Sequence, residues 1–295
     1  MFNGIFTALS TPFSSDGSID FNALKHLLEA QLKAGVHGLV LLGTTAETPT
    51  LSAEEKLQIL NFCVPVLKGK CKIIIGTGSN STPAAVENTR AVLAFNPDAV
   101  LVVTPYYNKP NPAGLIAHYK AIAEVGAPII LYHIPGRTGL KLPDNVLADL
   151  LTSVPQIVGI KESDYDATHV MQTAVNYHNK LDYLCGNDDL FPQYLAINAA
   201  GIISAAANVL APAFVQIYDL FKQGKTSESF ALFARLYPLI KACYAETNPT
   251  CIKYILAKRG FGSSTVRLPL GEISREHQEQ LDKLLQTADP SWFTE

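Results

Sequence analysis

Lys161 ends an apolar run, Ile157-Val158-Gly159-Ile160-Lys161-Glu162-Ser163, and Tyr132 ends a similar one, Ile129-Ile130-Leu131-Tyr132, 29 residues earlier. One strand–helix–strand unit takes ~30 residues, so this spacing places the two at equivalent ends of consecutive strands. An amine beside a phenol in such a place suits Schiff-base chemistry. The neutral amine attacks a carbonyl carbon, and the phenol transfers protons while the carbinolamine forms and dehydrates. An imine-forming lysine must present a neutral amine near pH 7. Bringing a lysine from ~10.4 to ~7 costs about 4–5 kcal/mol at ~1.36 kcal/mol per unit, which burial could supply. The plainer readings are a rim lysine paired with Glu162 or Asp164, and a buried tyrosine whose hydroxyl is simply satisfied.

Other reactive side chains follow further apolar runs. Gly43-Thr44-Thr45-Ala46-Glu47 comes after the second, Thr104-Pro105-Tyr106-Tyr107-Asn108 after the fourth, and Gly186-Asn187-Asp188 after the seventh. Thr44 and Tyr107 can extend a hydroxyl relay from Tyr132, and Thr45 can bind a carboxylate, although threonine in a turn commonly caps a helix. Arg137 lies between Pro135-Gly136 and Gly139. Its guanidinium can grip a carboxylate through two parallel bonds, or serve as half of a surface salt bridge. Gly76-Thr77-Gly78 resembles a phosphate turn, but the sixth position is Ser81, so a plain β/α turn is expected. His133 reads as structural.

The elements that must position these residues are short runs rich in Val, Ile and Leu, as in parallel strands covered on both faces. The candidates are 5–10, 38–42, 72–76, 99–103, 129–132, 157–161, 181–184 and 201–204. Asp20 can cap a helix with Leu24, Leu27, Leu28 and Gln31 inward; Ser52-Ala53-Glu54-Glu55 forms a capping box; Thr82-Pro83 opens a third helix. Further helical patterns cover 112–125, 143–152, 164–178 and 188–199. Eight alternating units predict a (β/α)8 TIM barrel over residues 1–224, with a doubly wound open sheet as the alternative. Helical patterns at 226–246, 250–259 and 274–287 predict a C-terminal helical segment, 225–295, packed on the barrel. Barrel enzymes carry their chemistry on the loops after the strands, which is where the residues above fall.

Composition narrows the function classes. Hydrophobic residues make up 48% of the 295-residue chain, ample for a sizeable core. Charged residues are 17%, net charge is −3, and no Lys/Arg run occurs, which argues against nucleic-acid or membrane-surface binding. No basic segment precedes the first apolar residues, so no signal peptide is read. The apolar stretch 199–215 is interrupted by Ser204, Asn208 and Pro212, and no membrane span is expected. Five cysteines without a CxxC pair fit a reduced, cytoplasmic protein. Seven histidines without HxxxH or HxH spacing argue against a dedicated zinc site, with ligands from distant loops left open.

Together, GTTAE, VTPYYNKP, YHIPGRTG, GIKES and NPTCIKY closely resemble the dihydrodipicolinate synthase family, within the pyruvate-dependent Schiff-base lyases and aldolases. The resemblance runs from Gly4 to about Pro269. It implies that Lys161 forms the imine with pyruvate and that Tyr132, Thr44 and Tyr107 relay protons, Tyr107 across a tight dimer. It implies that Thr45 holds the pyruvate carboxylate, that Arg137 holds that of L-aspartate-4-semialdehyde, and that backbone groups of Gly186 and Ile203 line the pocket. The implied activity is a Schiff-base-forming lyase making 4-hydroxy-tetrahydrodipicolinate on the diaminopimelate route to lysine. No metal or organic cofactor is implied, and a homotetramer, a dimer of dimers, is. The alternatives are a related pyruvate aldolase acting on a sugar acid or 4-hydroxy-2-oxoglutarate, and a non-catalytic ligand-binding barrel.

The chain departs from the family pattern in three respects. Ala46 stands where the family commonly has Gly, and it is expected to be tolerated if the backbone there suits Ala. His133 replaces a common Asn. Lysine-sensitive members line an interface site with a histidine at the position of Lys56 and an acid at that of Ala84. Lys56 would repel the ammonium group of lysine and Ala84 offers it no charge, so weak or absent feedback inhibition is expected. A lysine titration of turnover checks this, and strong inhibition at low lysine concentration would overturn it.

Overall fold

The computed structural model describes residues 1–295. Eight strands form: β1 (Gly4–Ala8), β2 (Gly38–Leu41), β3 (Lys72–Gly76), β4 (Ala99–Val103), β5 (Ile129–His133), β6 (Ile157–Glu162), β7 (Asp182–Cys185) and β8 (Gly201–Ser204). They close into a barrel in the order β1 to β8, with parallel pairing. The (β/α)8 TIM barrel expected from the alternating pattern is therefore the fold. The apolar runs are continuous because these strands are buried on both faces. β5 and β6 each run one residue past the expected end, to His133 and Glu162, adding a rung beyond Tyr132 and Lys161.

The helices are α1 (Phe21–Lys33), α2 (Ala53–Leu67), α3 (Thr82–Val92), α4 (Pro112–Ala123), α5 (Pro135–Thr138), α6 (Asp144–Ser153), α7 (Ala167–Tyr177), α8 (Phe191–Ala196) and α9 (Ala207–Lys222), then α10 (Thr226–Ala242), α11 (Thr250–Lys258) and α12 (Arg275–Thr287). Asp20 accepts from the Ala23 N–H, and both bonds of the Ser52/Glu55 capping box are present. α7 begins three residues later than its pattern suggests, because Asp166 caps it by accepting from the Thr168 and His169 N–H groups. α9 begins at Ala207, four residues before the helical pattern that the sequence shows at about 211–223. It is kinked at Leu210, two residues before Pro212, whose ring lacks an N–H and crowds the preceding turn. The 199–215 stretch is thus strand, turn and kinked helix, and no helix is long and apolar enough to cross a membrane.

The chain forms two compact units. One comprises Met1–Asn3 and Ile73–Ile202, the other Gly4–Lys72 and Ile203–Glu295. Within the first, the Phe2 N–H donates to Asp182 at 2.5 Å, tying the N-terminus to the start of β7. Within the second, Gln31 explains its place on the apolar face of α1. Its amide donates to the Ala207 and Asn208 carbonyls and its oxygen accepts from Thr7. Asn208 in turn donates to the Ala8 carbonyl and accepts from the Ser10 N–H.

The second unit also holds the Arg267–Glu55 pair, in which both guanidinium nitrogens reach the carboxylate, at 2.5 and 2.9 Å. This grip outweighs partial burial and lowers Glu55 to about 2. A carboxyl depressed in the folded state stabilises above its unfolded pKa and loses that contribution as pH falls through the folded one. The stability advantage over Glu55→Gln should therefore be complete above about pH 4.5 and fade as pH approaches about 2. Urea midpoints of both proteins across that window check the sign.

Candidate active site

Tyr132 and Lys161 are direct register partners in the β5–β6 ladder. Each is 7% exposed, and the Lys161 amine lies over the Tyr132 ring, 4.3 Å from its centroid. The side-by-side placement expected from strand counting is realised, with the amine over the ring face. Glu162 does not turn to Lys161. Its carboxylate meets His133 Nδ1 at 2.8 and 3.0 Å, His169 Nε2 at 3.3 Å and the Asp164 N–H at 2.7 Å. Burial pushes Glu162 upward, but the bonds from His133 and His169 carry it below its ordinary value. The same contact with Glu162 raises His169, against its partial desolvation.

Gly186 follows β7 and closes on the same lysine. A Cβ there would overlap Ser163 Oγ and sit 2.8 Å from the Glu162 carbonyl, with Lys161 Cε next at 3.1 Å, so glycine lets this turn close on the end of β6. Its N–H donates to the Glu162 carbonyl at 2.7 Å. Arg137 is exposed on the single turn α5, which Gly139 ends at φ 67°. Tyr107, in the loop after β4, is 89% exposed and held at φ 71°. Its N–H reaches the Thr138 carbonyl at 3.4 Å, so the loops carrying Tyr107 and Arg137 are joined through their backbones.

Thr44, Thr45 and Ile203 belong to the other compact unit. Thr44 is exposed and Thr45 buried in the tight turn Thr44–Ala46 after β2, while Ile203 is buried within β8. Ala46 lies inside this turn, and the left-handed conformation falls on Glu47, at φ 56°. The added methyl is tolerated because the position does not need glycine. Thr45 Oγ1 accepts from the Asn248 amide at 3.0 Å.

Glu47 anchors the turn. Lys253 Nζ donates to its Oε1 at 2.5 Å and the Arg267 N–H to its Oε2 at 2.8 Å. Lys253 is fully buried, with its charge 3.7 Å from the Phe13 ring centroid. Burial draws it down to about 8, even against the carboxylate. Lys253→Met would leave the Glu47 charge buried without its cation and should cost about 3–5 kcal/mol of stability. Guanidinium unfolding checks this; a loss below about 1 kcal/mol, the range of an exposed pair, would contradict it.

Sequence reasoning assigned no chemistry to Glu47, Lys253, Glu162 or His169. The available signal for Lys253 was a lysine inside the apolar run Cys251-Ile252-Lys253-Tyr254-Ile255-Leu256. His133, Glu162 and His169 converge although histidine spacing gives no hint of it, and their donor atoms lie within 4.8 Å of one another. The Leu142 N–H donates to His133 Nε2 at 3.1 Å, which places the ring proton on Nδ1. Nδ1 then donates to Glu162. A metal ion bound at Nδ1 would require the opposite tautomer and leave the Leu142 N–H facing a second N–H. The cluster is arranged as a hydrogen-bond network.

A family model described as the dihydrodipicolinate synthetase family matches residues 1–288. The chain is 39% identical to the 4-hydroxy-tetrahydrodipicolinate synthase of Methanoculleus marisnigri, covering 97% of this chain and 99% of that protein. It is 38% identical to that of Endomicrobium trichonymphae, over 97% and 98%. Among solved structures, the 4-hydroxy-tetrahydrodipicolinate synthase of Methylacidiphilum fumariolicum SolV superposes with a TM-score of 0.93 at 36% identity, covering 97% of this chain and 95% of that one.

Proposed function

The chain belongs to the dihydrodipicolinate synthetase family, and we propose on that basis that it condenses pyruvate with L-aspartate-4-semialdehyde to give 4-hydroxy-tetrahydrodipicolinate. The observation that carries this reading is the buried Lys161 amine over Tyr132 at the C-terminal ends of adjacent strands. Lys161 attacks C2 of pyruvate, and loss of water leaves an iminium. That cation acidifies C3: a C3 proton leaves, the C3–H electrons form the C2–C3 double bond, the C=N pair returns to nitrogen, and an enamine results. The enamine carbon attacks the aldehyde carbon of the second substrate. The product's own amino group then displaces Lys161 as the ring closes, and the lysine is released. Tyr132, with Thr44 and Tyr107, moves the protons of these steps. Thr45 binds the pyruvate carboxylate, Arg137 that of the semialdehyde, and the backbones of Gly186 and Ile203 line the pocket.

The exposure of Tyr107 supports a homo-oligomer in which this side chain is covered by a second copy, as a dimer within a homotetramer. Five free thiols agree with a cytoplasmic location. The test has two parts. Pyruvate with borohydride should leave one reduced pyruvate on Lys161, read by peptide mass. Turnover should then favour aspartate semialdehyde over sugar-acid aldehydes and glyoxylate. An adduct on Lys161 with equal or better turnover of another aldehyde would assign the chain to an aldolase of the same superfamily.

A further inference from the structure

The rung after Tyr132–Lys161 in the β5–β6 ladder is His133–Glu162. Successive side chains of a strand face opposite ways, so this rung lies on the face away from the lysine, and both of its members are completely buried. We propose that His133 and Glu162 are a positioning pair whose Nδ1–H to carboxylate bond fixes the register of β5 against β6 and so holds the Lys161 amine over Tyr132. The inference rests on the imine-forming role given to Lys161 above.

Three observations carry it. The ladder is irregular where it begins: Ile129 pairs with Ile157, but Ile130 pairs with Gly159. The N-terminal end therefore does not dictate the register at the reactive end. A one-residue slip in a strand turns every side chain to the other face, which here would remove Lys161 from Tyr132 altogether. The strands are parallel and joined by a long crossover, so no hairpin turn sets the register either.

The contacts at the reactive end are specific to one register. Leu142 N–H holds the imidazole through Nε2, which leaves Nδ1–H for both Glu162 oxygens. Asp164 N–H and His169 occupy the rest of that carboxylate, and the Glu162 carbonyl accepts from Gly186 N–H and the Tyr194 hydroxyl. Ser163 N–H then donates to the His133 carbonyl at 2.9 Å, extending the ladder beyond the rung. Glu162 thus joins β5, β6 and the turn after β7 at the residue adjoining Lys161.

His133→Asn and His133→Gln separate the two ring contacts. An asparagine amide nitrogen can stand where Nδ1 stands, whereas a glutamine amide reaches the place of Nε2. The readout is the rate of borohydride-trappable imine formation per folded subunit, with the KM for pyruvate and the melting temperature measured alongside. His133→Asn should stay within about twofold of wild type, and His133→Gln should lose about tenfold in rate with little change in KM, the effect of one charge-assisted hydrogen bond. Equal rates for the two variants would overturn the proposal. A His133→Gln protein that fails to fold, or melts early while its folded fraction reacts normally, would assign the rung to folding alone and overturn it too. Absence of an adduct in the wild type, where the rung is intact, would instead refute the imine-forming role itself.

Discussion

Lys161→Ala should lower turnover by on the order of 10⁴-fold or more and abolish the borohydride-stable adduct with pyruvate. The iminium is the only electron sink in the proposed reaction. Without it, deprotonation of pyruvate C3 leaves a carbanion with nothing but the ketone oxygen to accept its charge. A factor of 10⁴ corresponds to about 5.5 kcal/mol of transition-state stabilisation at ~1.36 kcal/mol per tenfold. Lys161→Arg should fail nearly as completely, because a guanidinium stays protonated and cannot attack. Neither loss should come from unfolding. Lys161 is 93% withdrawn from water, since its exposure is 7%, and its neighbour Glu162 is held by His133 and His169. Removing the amine therefore strands no partner, and the melting temperature of Lys161→Ala should match or exceed that of wild type. An adduct that persists in the variant would point to another lysine. Lys253 is the other buried one, and Glu47 already holds its amine.

How far the sequence reveals this site depends on how each residue acquires its neighbours. Lys161 and Tyr132 are legible because strand ends can be counted: buried parallel strands are continuous apolar runs, and one βαβ unit separates the two. The role of the rung behind them is not legible. His133 and Glu162 share the same 29-residue offset, but strand counting does not show that both strands run one residue further, nor that the Leu142 N–H and His169 complete the contacts there. Glu47 and Lys253 lie 206 positions apart, and no periodicity links a turn after β2 to a helix beyond the barrel strands. The kink in α9 could be anticipated from Pro212. Its early start at Ala207 could not, since Ser204 Oγ, which accepts from the Ala207 N–H, lies in the strand before it. Local chemistry is readable where one residue type serves one element. It is lost where a side chain serves two elements that only the closed fold brings together.

Arg137→Ala should separate the two halves of the reaction. Catalytic efficiency with aspartate semialdehyde should fall about 10²- to 10³-fold, the worth of two charge-assisted hydrogen bonds at roughly 1.5–3 kcal/mol each less solvent competition at an open site. Imine formation with pyruvate should change less than about threefold, because its carboxylate is assigned to Thr45 and its carbonyl to Lys161. Arg137→Lys should recover only part of the loss, since an ammonium is a point charge without the planar fork. The backbone makes this a clean experiment. Arg137 N–H donates to the Ile134 carbonyl, and the turn is closed by the Gly139 N–H to the Pro135 carbonyl, bonds that no side-chain change removes. The side chain is exposed, so stability should move by less than about 0.5 kcal/mol. Assays with aspartate semialdehyde and with an aldehyde lacking a carboxylate complete the test. If Arg137→Ala slows both aldehydes equally, the guanidinium acts on something common to all turnovers and does not read the second substrate. If only the carboxylated aldehyde suffers, specificity resides in the turn after β5 while the covalent chemistry resides at the end of β6. The two functions are then carried by neighbouring strands and can be altered one at a time.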